Sequence, residues 1–144
     1  MRNGLIIEGI GNKFLYENNQ LHRLDGPAID FFDGTKCWYQ YDELHRLGGP
    51  AIEYADGTKY WYENDRLHRI DGPAVELNNG TKQWYKLGKL HRIGGPAVEY
   101  VNGFQTWYQN GLCHNDHGPA IIYSNDTVEY FLLGKKVNPF EISC

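Results

Sequence analysis

A Gly-Pro-Ala tripeptide recurs every 23 residues along this chain, and this spacing constrains the fold more than any other feature. A fixed period of about 20 to 50 residues is typical of proteins built from stacked structural repeats. The period therefore predicts a repeat array in which each unit packs against its neighbours. The five copies are Gly26-Pro27-Ala28, Gly49-Pro50-Ala51, Gly72-Pro73-Ala74, Gly95-Pro96-Ala97 and Gly118-Pro119-Ala120.

The period divides the 144 residues into a single repeat domain with atypical ends. Residues 1–20 are predicted to form a partial N-terminal cap repeat, because Gly11 and Lys13 align with Gly34 and Lys36 while the Gly-Pro-Ala is missing. Terminal repeats are expected to drift in sequence, since one side of each has no neighbour. Four full repeats follow at 21–43, 44–66, 67–89 and 90–112, and residues 113–144 form a degenerate fifth repeat and C-terminal cap.

Each repeat contains three extended segments that are separated by turn residues. In the second repeat, residues 51–54 precede Asp56-Gly57, and residues 58–62 precede Asn64-Asp65. Such pairs between aromatic and β-branched residues favour β-hairpins, whereas the recurring proline excludes long helices. The sequence therefore predicts an all-β fold, an elongated twisted ribbon of stacked antiparallel β-hairpins. The Gly-Pro step is expected either to kink one long strand or to separate two short ones.

Two positions six residues apart change together from repeat to repeat, which predicts the register of the first hairpin. Opposite charges at both positions give way to apolar side chains at both, as expected of residues that face each other across two strands. This register implies a three-residue loop such as residues 32–34, with Gly34 in the left-handed conformation. The pairs are Asp30 with Lys36, Glu53 with Lys59, Glu76 with Lys82, Glu99 with Gln105 and Ile122 with Val128.

The second turn extends the prediction to the core. A two-residue turn at Asn64-Asp65 would set Tyr62 opposite Leu67 and Trp61 opposite His68. Because side chains alternate between the two faces of a strand, we expect a ladder of tryptophan and histidine on one face. The core on the other face is predicted to consist of Ile52, Tyr54, Tyr62, Leu67 and their equivalents.

Composition and charge narrow the classes of partner. The formal net charge is −4 and both signs occur in every repeat, which gives no basic surface for nucleic acid and disfavours a membrane surface. Three cysteines, Cys37, Cys113 and Cys144, show no C-x-x-C spacing and fit a reducing compartment. We recognise no signal peptide and no apolar run of about 20 residues. These features predict a cytoplasmic protein that binds neither nucleic acid nor membrane.

Residues 85–91, with the pattern Tyr-x-x-Gly-Lys-x-His, resemble MORN repeats, which form an elongated twisted β ribbon. The chain departs from the MORN pattern where Arg-x-(Asp or Gly)-Gly-Pro-Ala replaces Gly-x-Gly. The His-Arg-x-Asp-Gly-Pro-Ala and Trp-Tyr motifs are more similar to variant repeats of uncharacterised phage and large DNA virus proteins. This resemblance covers about residues 12–135. It implies a ribbon architecture and a viral setting and is nearly silent on activity.

The His-Arg dipeptides are the most chemically distinctive feature, and three interpretations compete. A shared metal site fails, because two strands per repeat separate equivalent residues by about 9–10 Å, while zinc ligands lie ~2 Å from the ion. An anion-binding stripe for a nucleotide or another phosphate remains open. The favoured interpretation is structural, with His68 packed on Trp61 and Arg69 paired with a neighbouring acid. The candidate binding residues are Trp38, His45, Arg46, Trp61, His68, Arg69, Trp84, His91, Arg92 and Trp107.

One other cluster carries possible metal ligands, at residues 113–117. Cys113 and His117 could share a face of an extended strand, but His114 would point to the other face, so we predict no metal site. Cys37 stands where other repeats have tyrosine, glutamine or threonine, which argues against a catalytic thiol. No nucleophile elbow or phosphate-binding loop is present. The sequence therefore predicts no cofactor and no enzymatic activity.

The resulting hypothesis is a non-catalytic protein-binding platform. Tryptophan, tyrosine and arginine are the residue types enriched in interface hot spots, and the repeats present them periodically. The viral resemblance implies a bacterial host protein as partner, in the host cytoplasm, with inhibition of a host defence protein as the sharpest version. Two alternatives stay open: a phosphate-ligand or nucleotide-sequestering protein, and a structural or assembly component that self-associates. Asp25 and Asp71 alternate with Gly48 and Gly94, a rhythm that the sequence does not explain.

Overall fold

The computed structural model describes residues 1–142 and contains 22 strands and one short 3-10 helix. Within these residues, no helix has the length and apolar character needed to cross a membrane. The first strands are β1 (Gly4–Glu8), β2 (Asn12–Glu17), β3 (Gln20–Leu21), β4 (Ile29–Asp30), β5 (Lys36–Cys37), β6 (Tyr39–Gln40), β7 (Glu43–Leu44), β8 (Ile52–Glu53), β9 (Lys59–Tyr60), β10 (Tyr62–Glu63) and β11 (Arg66–Leu67). The others are β12 (Val75–Glu76), β13 (Lys82–Gln83), β14 (Tyr85–Lys86), β15 (Lys89–Leu90), β16 (Val98–Glu99), β17 (Gln105–Thr106), β18 (Tyr108–Gln109), β19 (Leu112–Cys113), β20 (Ile121–Ile122), β21 (Val128–Leu132) and β22 (Lys135–Val137), followed by the 3-10 helix Pro139–Glu141.

Successive hairpins build one long antiparallel sheet, which confirms the all-β prediction. Its 14 strands run in the order β1-β2-β4-β5-β8-β9-β12-β13-β16-β17-β20-β21-β22, with β3 paired to β2. Each full repeat contributes two strands to this main sheet and one separate two-stranded side hairpin: β6-β7, β10-β11, β14-β15 or β18-β19. The main sheet is therefore continuous across repeats, whereas each side hairpin closes within its own segment of the chain.

The register of the first hairpin agrees with the prediction in every repeat. Asp30 pairs with Lys36, and the last repeat pairs Ile122 with Val128. The same positions also pair between repeats, as in Lys36 with Glu53, so opposite charges alternate along one face of the sheet. Gly34 closes the three-residue loop with a φ of 93°, a conformation that glycine adopts without a steric penalty.

The side hairpins close through two-residue turns in which both residues have positive φ. Asn64 and Asp65 have φ values of 49° and 57°, as a type I′ turn requires, and Tyr62 pairs with Leu67 as predicted. Trp61 accepts the backbone N–H of His68 at 3.0 Å, so these two residues also lie opposite each other. The Gly-Pro step follows the side hairpin and separates it from the next strand of the main sheet.

The predicted core is correct in part. Ile29, Val75 and Val98, which are equivalent to Ile52, are buried, whereas Tyr54 is exposed and Ile52, Tyr62 and Leu67 are only half-buried. The fully enclosed positions are instead small side chains at the junction of main sheet and side hairpin, namely Ala28, Ala51, Ala74, Ala97 and Ala120, with Thr35, Thr58, Thr81 and Thr106 also buried.

Candidate functional site

The arginines of the last three full repeats lie on a tryptophan ring, and the arginine of each full repeat fills the space beside a glycine. The Arg69 guanidinium carbon lies 4.1 Å from the centre of the Trp61 ring. A Cβ added to Gly72 would lie 2.9 Å from the same carbon, so the missing side chain is what lets the guanidinium fit. Cation–π contacts of this kind stabilise by about 0.5–2 kcal/mol. Arg46 on Trp38 at 3.8 Å and Arg92 on Trp84 at 3.7 Å repeat the arrangement.

Hydrogen bonds hold the arginine in this position. Nη1 of Arg69 donates to the carbonyl oxygen of Pro73 at 3.1 Å and to Glu76 Oε1 at 3.0 Å. Arg46 and Arg92 make the equivalent bonds to the proline carbonyl and to Glu53 or Glu99. The predicted pairing of arginine with an acid is therefore confirmed. The guanidinium groups of Arg46, Arg69 and Arg92 each already have a carboxylate partner. The row of His-Arg pairs therefore presents less positive charge than an anion-binding site would use.

The alternation of aspartate and glycine has a structural explanation. Asp25 and Asp71 each accept the Nε–H of the arginine two residues earlier, at 2.8 and 3.0 Å. That hydrogen bond is the main reason that the pKa of each carboxyl group is lowered. Gly48 and Gly94 have φ values of 76° and 78°, in the left-handed region that favours glycine. Two loop conformations therefore alternate, one with a carboxylate on the arginine and one without.

The repeated histidines link consecutive side hairpins. Nδ1 of His68 accepts the backbone N–H of Leu87 at 3.2 Å, and Leu87 has a φ of 49° at the first position of the next turn. A non-glycine residue in this region costs about 1–2 kcal/mol, so the bond supports a strained turn. An accepting Nδ1 places the hydrogen of the neutral ring on Nε2. His22, His45, His91 and His114 repeat the contact, to Tyr41, Asn64, Asn110 and Leu133.

Replacing His68 with phenylalanine is expected to lower the free energy of unfolding by about 1 kcal/mol, because the Leu87 N–H loses its acceptor while the ring volume is kept. Urea unfolding followed by circular dichroism measures this change. His117→Phe is the matched control, since this side chain is 83% exposed, and it should shift stability by less than about 0.5 kcal/mol. Equal stability of the two variants would contradict the proposed role of the histidine bond.

The degenerate fifth repeat keeps the scaffold and loses the arginine. Asn115 stands in the arginine position, and its Nδ2 donates to the carbonyl oxygen of Pro119 at 2.8 Å. Trp107 accordingly has no arginine above its ring, unlike the other tryptophans. His114 makes the histidine link, while His117 is exposed beside Asp116. Within residues 1–142, no three histidine, cysteine, aspartate or glutamate side chains are placed to hold one metal ion.

Two cysteines lie in environments that disfavour the thiolate. Burial raises the pKa of Cys37 to about 11, with a smaller contribution from the charge of Asp33. Burial also raises the pKa of Cys113 to about 11, assisted by Glu129. Since the thiolate is the nucleophilic form, neither side chain is activated for catalysis. Cys144, the third cysteine of the sequence analysis, lies outside the described residues.

An exposed aliphatic residue follows the His-Arg dipeptide in every full repeat. We call these four residues the aliphatic ladder. They lie on the loop between the side hairpin and the main sheet, and aspartate takes their place in the fifth repeat, at Asp116. Their regular recurrence at high exposure distinguishes them from the scattered apolar residues that any surface carries. The ladder comprises Leu24 (76% exposed), Leu47 (79%), Ile70 (92%) and Ile93 (78%).

Consecutive ladder residues flank three grooves, each lined by a tryptophan. The first lies between Leu24 and Leu47 around Trp38, and encloses about 610 Å³. The second is lined by Leu47, Ile70 and Trp61 and encloses about 420 Å³. The third, about 740 Å³, is lined by Ile70, Ile93 and Trp84. Three of the four predicted tryptophans and the predicted His-Arg pairs thus come together in the grooves, one set per repeat.

No protein-family model and no curated protein sequence matches this chain. The chemistry of the candidate site therefore rests on its own residues. The predicted arginines and histidines hold the scaffold together, whereas the most exposed apolar positions within residues 21–112 are the ladder residues, which the sequence analysis missed. Their signal was present in the repeats, since an aliphatic residue stands between His-Arg and Asp-Gly or Gly-Gly in all four full copies.

Proposed function

We propose that this chain is a non-catalytic protein-binding platform that contacts its partner through the aliphatic ladder and the three grooves. The observation that carries the proposal is the exposure of Leu24, Leu47, Ile70 and Ile93 at one equivalent position of four successive repeats. Folding leaves these side chains in water, and an interface that covers them would gain the hydrophobic free energy that the isolated chain does not. Tryptophan and arginine beside them are residue types that dominate binding energy in interfaces.

The resemblance to MORN-like repeats of viral proteins supports a finer form of this proposal. In that form the partner is a protein of a bacterial host, and binding in the host cytoplasm inhibits a defence protein. Self-association through the same ladder is the alternative that the exposed apolar stripe also favours.

Affinity purification from bacterial lysate tests the platform with a matched pair of variants. Ile70→Glu with Ile93→Glu places charges on the ladder, and Ile10→Glu with Val101→Glu places them on exposed apolar positions elsewhere. We expect the wild type and the control variant to retain the same stoichiometric partner and the ladder variant to lose it, because a buried unpaired charge is costly. A partner retained equally by all three proteins would refute the ladder as the binding surface.

A further inference from the structure

We propose that the three grooves bind a proline-rich segment in the polyproline II conformation. The inference deepens the proposed protein-binding function and rests on it. Three properties of the site point to this class of partner: the spacing of the ladder, the hydrogen-bond donors in the grooves, and the tryptophan that lines each groove beside its stacked arginine.

The spacing of the ladder matches the repeat of a polyproline II helix. Equivalent residues of consecutive repeats are two strands apart in the main sheet, which corresponds to about 9.4–9.8 Å. A polyproline II helix has three residues per turn and rises 3.1 Å per residue, so it presents the same face about every 9.3 Å. A β-strand presents one face about every 6.7 or 13 Å, and an α-helix with its side chains is about 10–12 Å wide. The rise of one polyproline II turn therefore nearly equals the spacing of consecutive ladder residues, so a bound helix would advance by one turn from each groove to the next.

The grooves offer hydrogen-bond donors that the protein itself does not use. Among residues 1–142, no side-chain nitrogen is both fully buried and without a hydrogen-bond partner, so the indole N–H groups of Trp38, Trp61 and Trp84 are not sealed from solvent, although the Trp38 residue is only 8% exposed. Arg46 and Arg92 add an Nε–H each, because the glycines that follow them carry no carboxylate.

A proline-rich segment complements such a surface. Proline has a carbonyl acceptor and no N–H, and polyproline II makes no internal hydrogen bonds, so its carbonyl groups are free to accept from the groove. Aromatic-lined grooves are the usual recognition surface for this conformation, since the preformed helix loses little entropy on binding. Tyr85 beside Trp84 enlarges the aromatic surface of the third groove. The aliphatic ladder residues then separate successive turns of the bound segment.

Fluorescence anisotropy with fluorescein-labelled dodecaproline tests the proposal directly. We expect saturable binding, with affinity that rises about tenfold from hexaproline to nonaproline and then levels off, since three turns fill three grooves. A labelled glycine-serine peptide of equal length should bind at least about tenfold more weakly. Ile70→Glu should weaken dodecaproline binding at least about tenfold, while Val101→Glu should leave it unchanged. Circular dichroism of both variants checks that they fold.

Several results would overturn the proposal. One is an anisotropy of labelled dodecaproline that does not change at protein concentrations up to about 1 mM, because a dissociation constant above about 1 mM is too weak for specific binding. Another is equal binding of the glycine-serine peptide. A wild-type dimer that Ile70→Glu separates in light scattering would assign the ladder to a second copy of the chain. If dodecaproline fails but the lysate partner still depends on Ile70 and Ile93, this inference falls and the platform stands. If neither depends on the ladder, both proposals fall.

Discussion

A chain that lacks residues 76–98 is expected to fold into the same sheet with one repeat fewer. The deletion joins Val75 to Glu99, which takes the place of Glu76 opposite Arg69 and keeps every later residue in its repeat position. Stability in repeat arrays is roughly a sum of terms for single repeats and for their interfaces, so the melting temperature should fall without loss of cooperativity. Circular dichroism and thermal unfolding measure both properties.

Removal of one further residue, in a chain that lacks residues 76–99, provides the contrast. Tyr100 would then stand where Glu76 faces Lys59, and a shift by one residue moves each later side chain of the strand to the opposite face. We expect the free energy of unfolding to fall by more than about 4 kcal/mol, or the downstream repeats to be protease-sensitive. Equal stability of the two deletions would mean that the repeats are not locked in register.

Replacing Ala74 with leucine is expected to lower the free energy of unfolding by about 1–3 kcal/mol, because overpacking forces shifts of the backbone and the neighbouring side chains. Ala74 has no exposed surface, and its carbonyl oxygen accepts the backbone N–H of Trp61 at 2.8 Å, so the added carbon atoms have no free space. The effect arises where the side hairpin meets the main sheet, a contact that each full repeat shares. Urea unfolding gives the free energy and shows whether cooperativity is kept.

Ala55→Leu is the control for this substitution, since Ala55 is exposed in the first turn of its repeat. It adds the same atoms in contact with water, and its stability should stay within about 0.5 kcal/mol of the wild type. If Ala74→Leu is as stable as Ala55→Leu, the junction alanines are not the tightly packed core that their burial indicates.

Local sequence was sufficient to predict the hairpins and their register. The joint change from Glu53 and Lys59 to Ile122 and Val128 identified residues that face each other, because hairpin partners are only six positions apart. The turns were equally readable, since Asp-Gly and Asn-Asp pairs tolerate the positive φ that tight hairpins require. Both features depend on interactions within a few residues, which a single sequence records directly.

The packing could not be predicted in the same way. Tyr54 was expected in the core and is exposed, whereas Val75, at the Ile52 position of the next repeat, is buried. The expected stacking of His68 on Trp61 is replaced by stacking of Arg69, and the histidine instead accepts an N–H from the turn of the next side hairpin. Which of two adjacent polar residues reaches the ring depends on the course of the loop, and a motif does not specify it.

The sequence by itself determined the 23-residue period, the all-β hairpins and their pairing, since these follow from turn chemistry and from cross-strand pairs within one repeat. Only the tertiary structure decided which side chains are enclosed and which stand in water. His68 meets Leu87 19 residues later, and Ile70 and Ile93 line one groove although 23 residues separate them. Burial and exposure arise from such contacts between repeats, so the alanine core and the aliphatic ladder became visible only once the repeats were stacked.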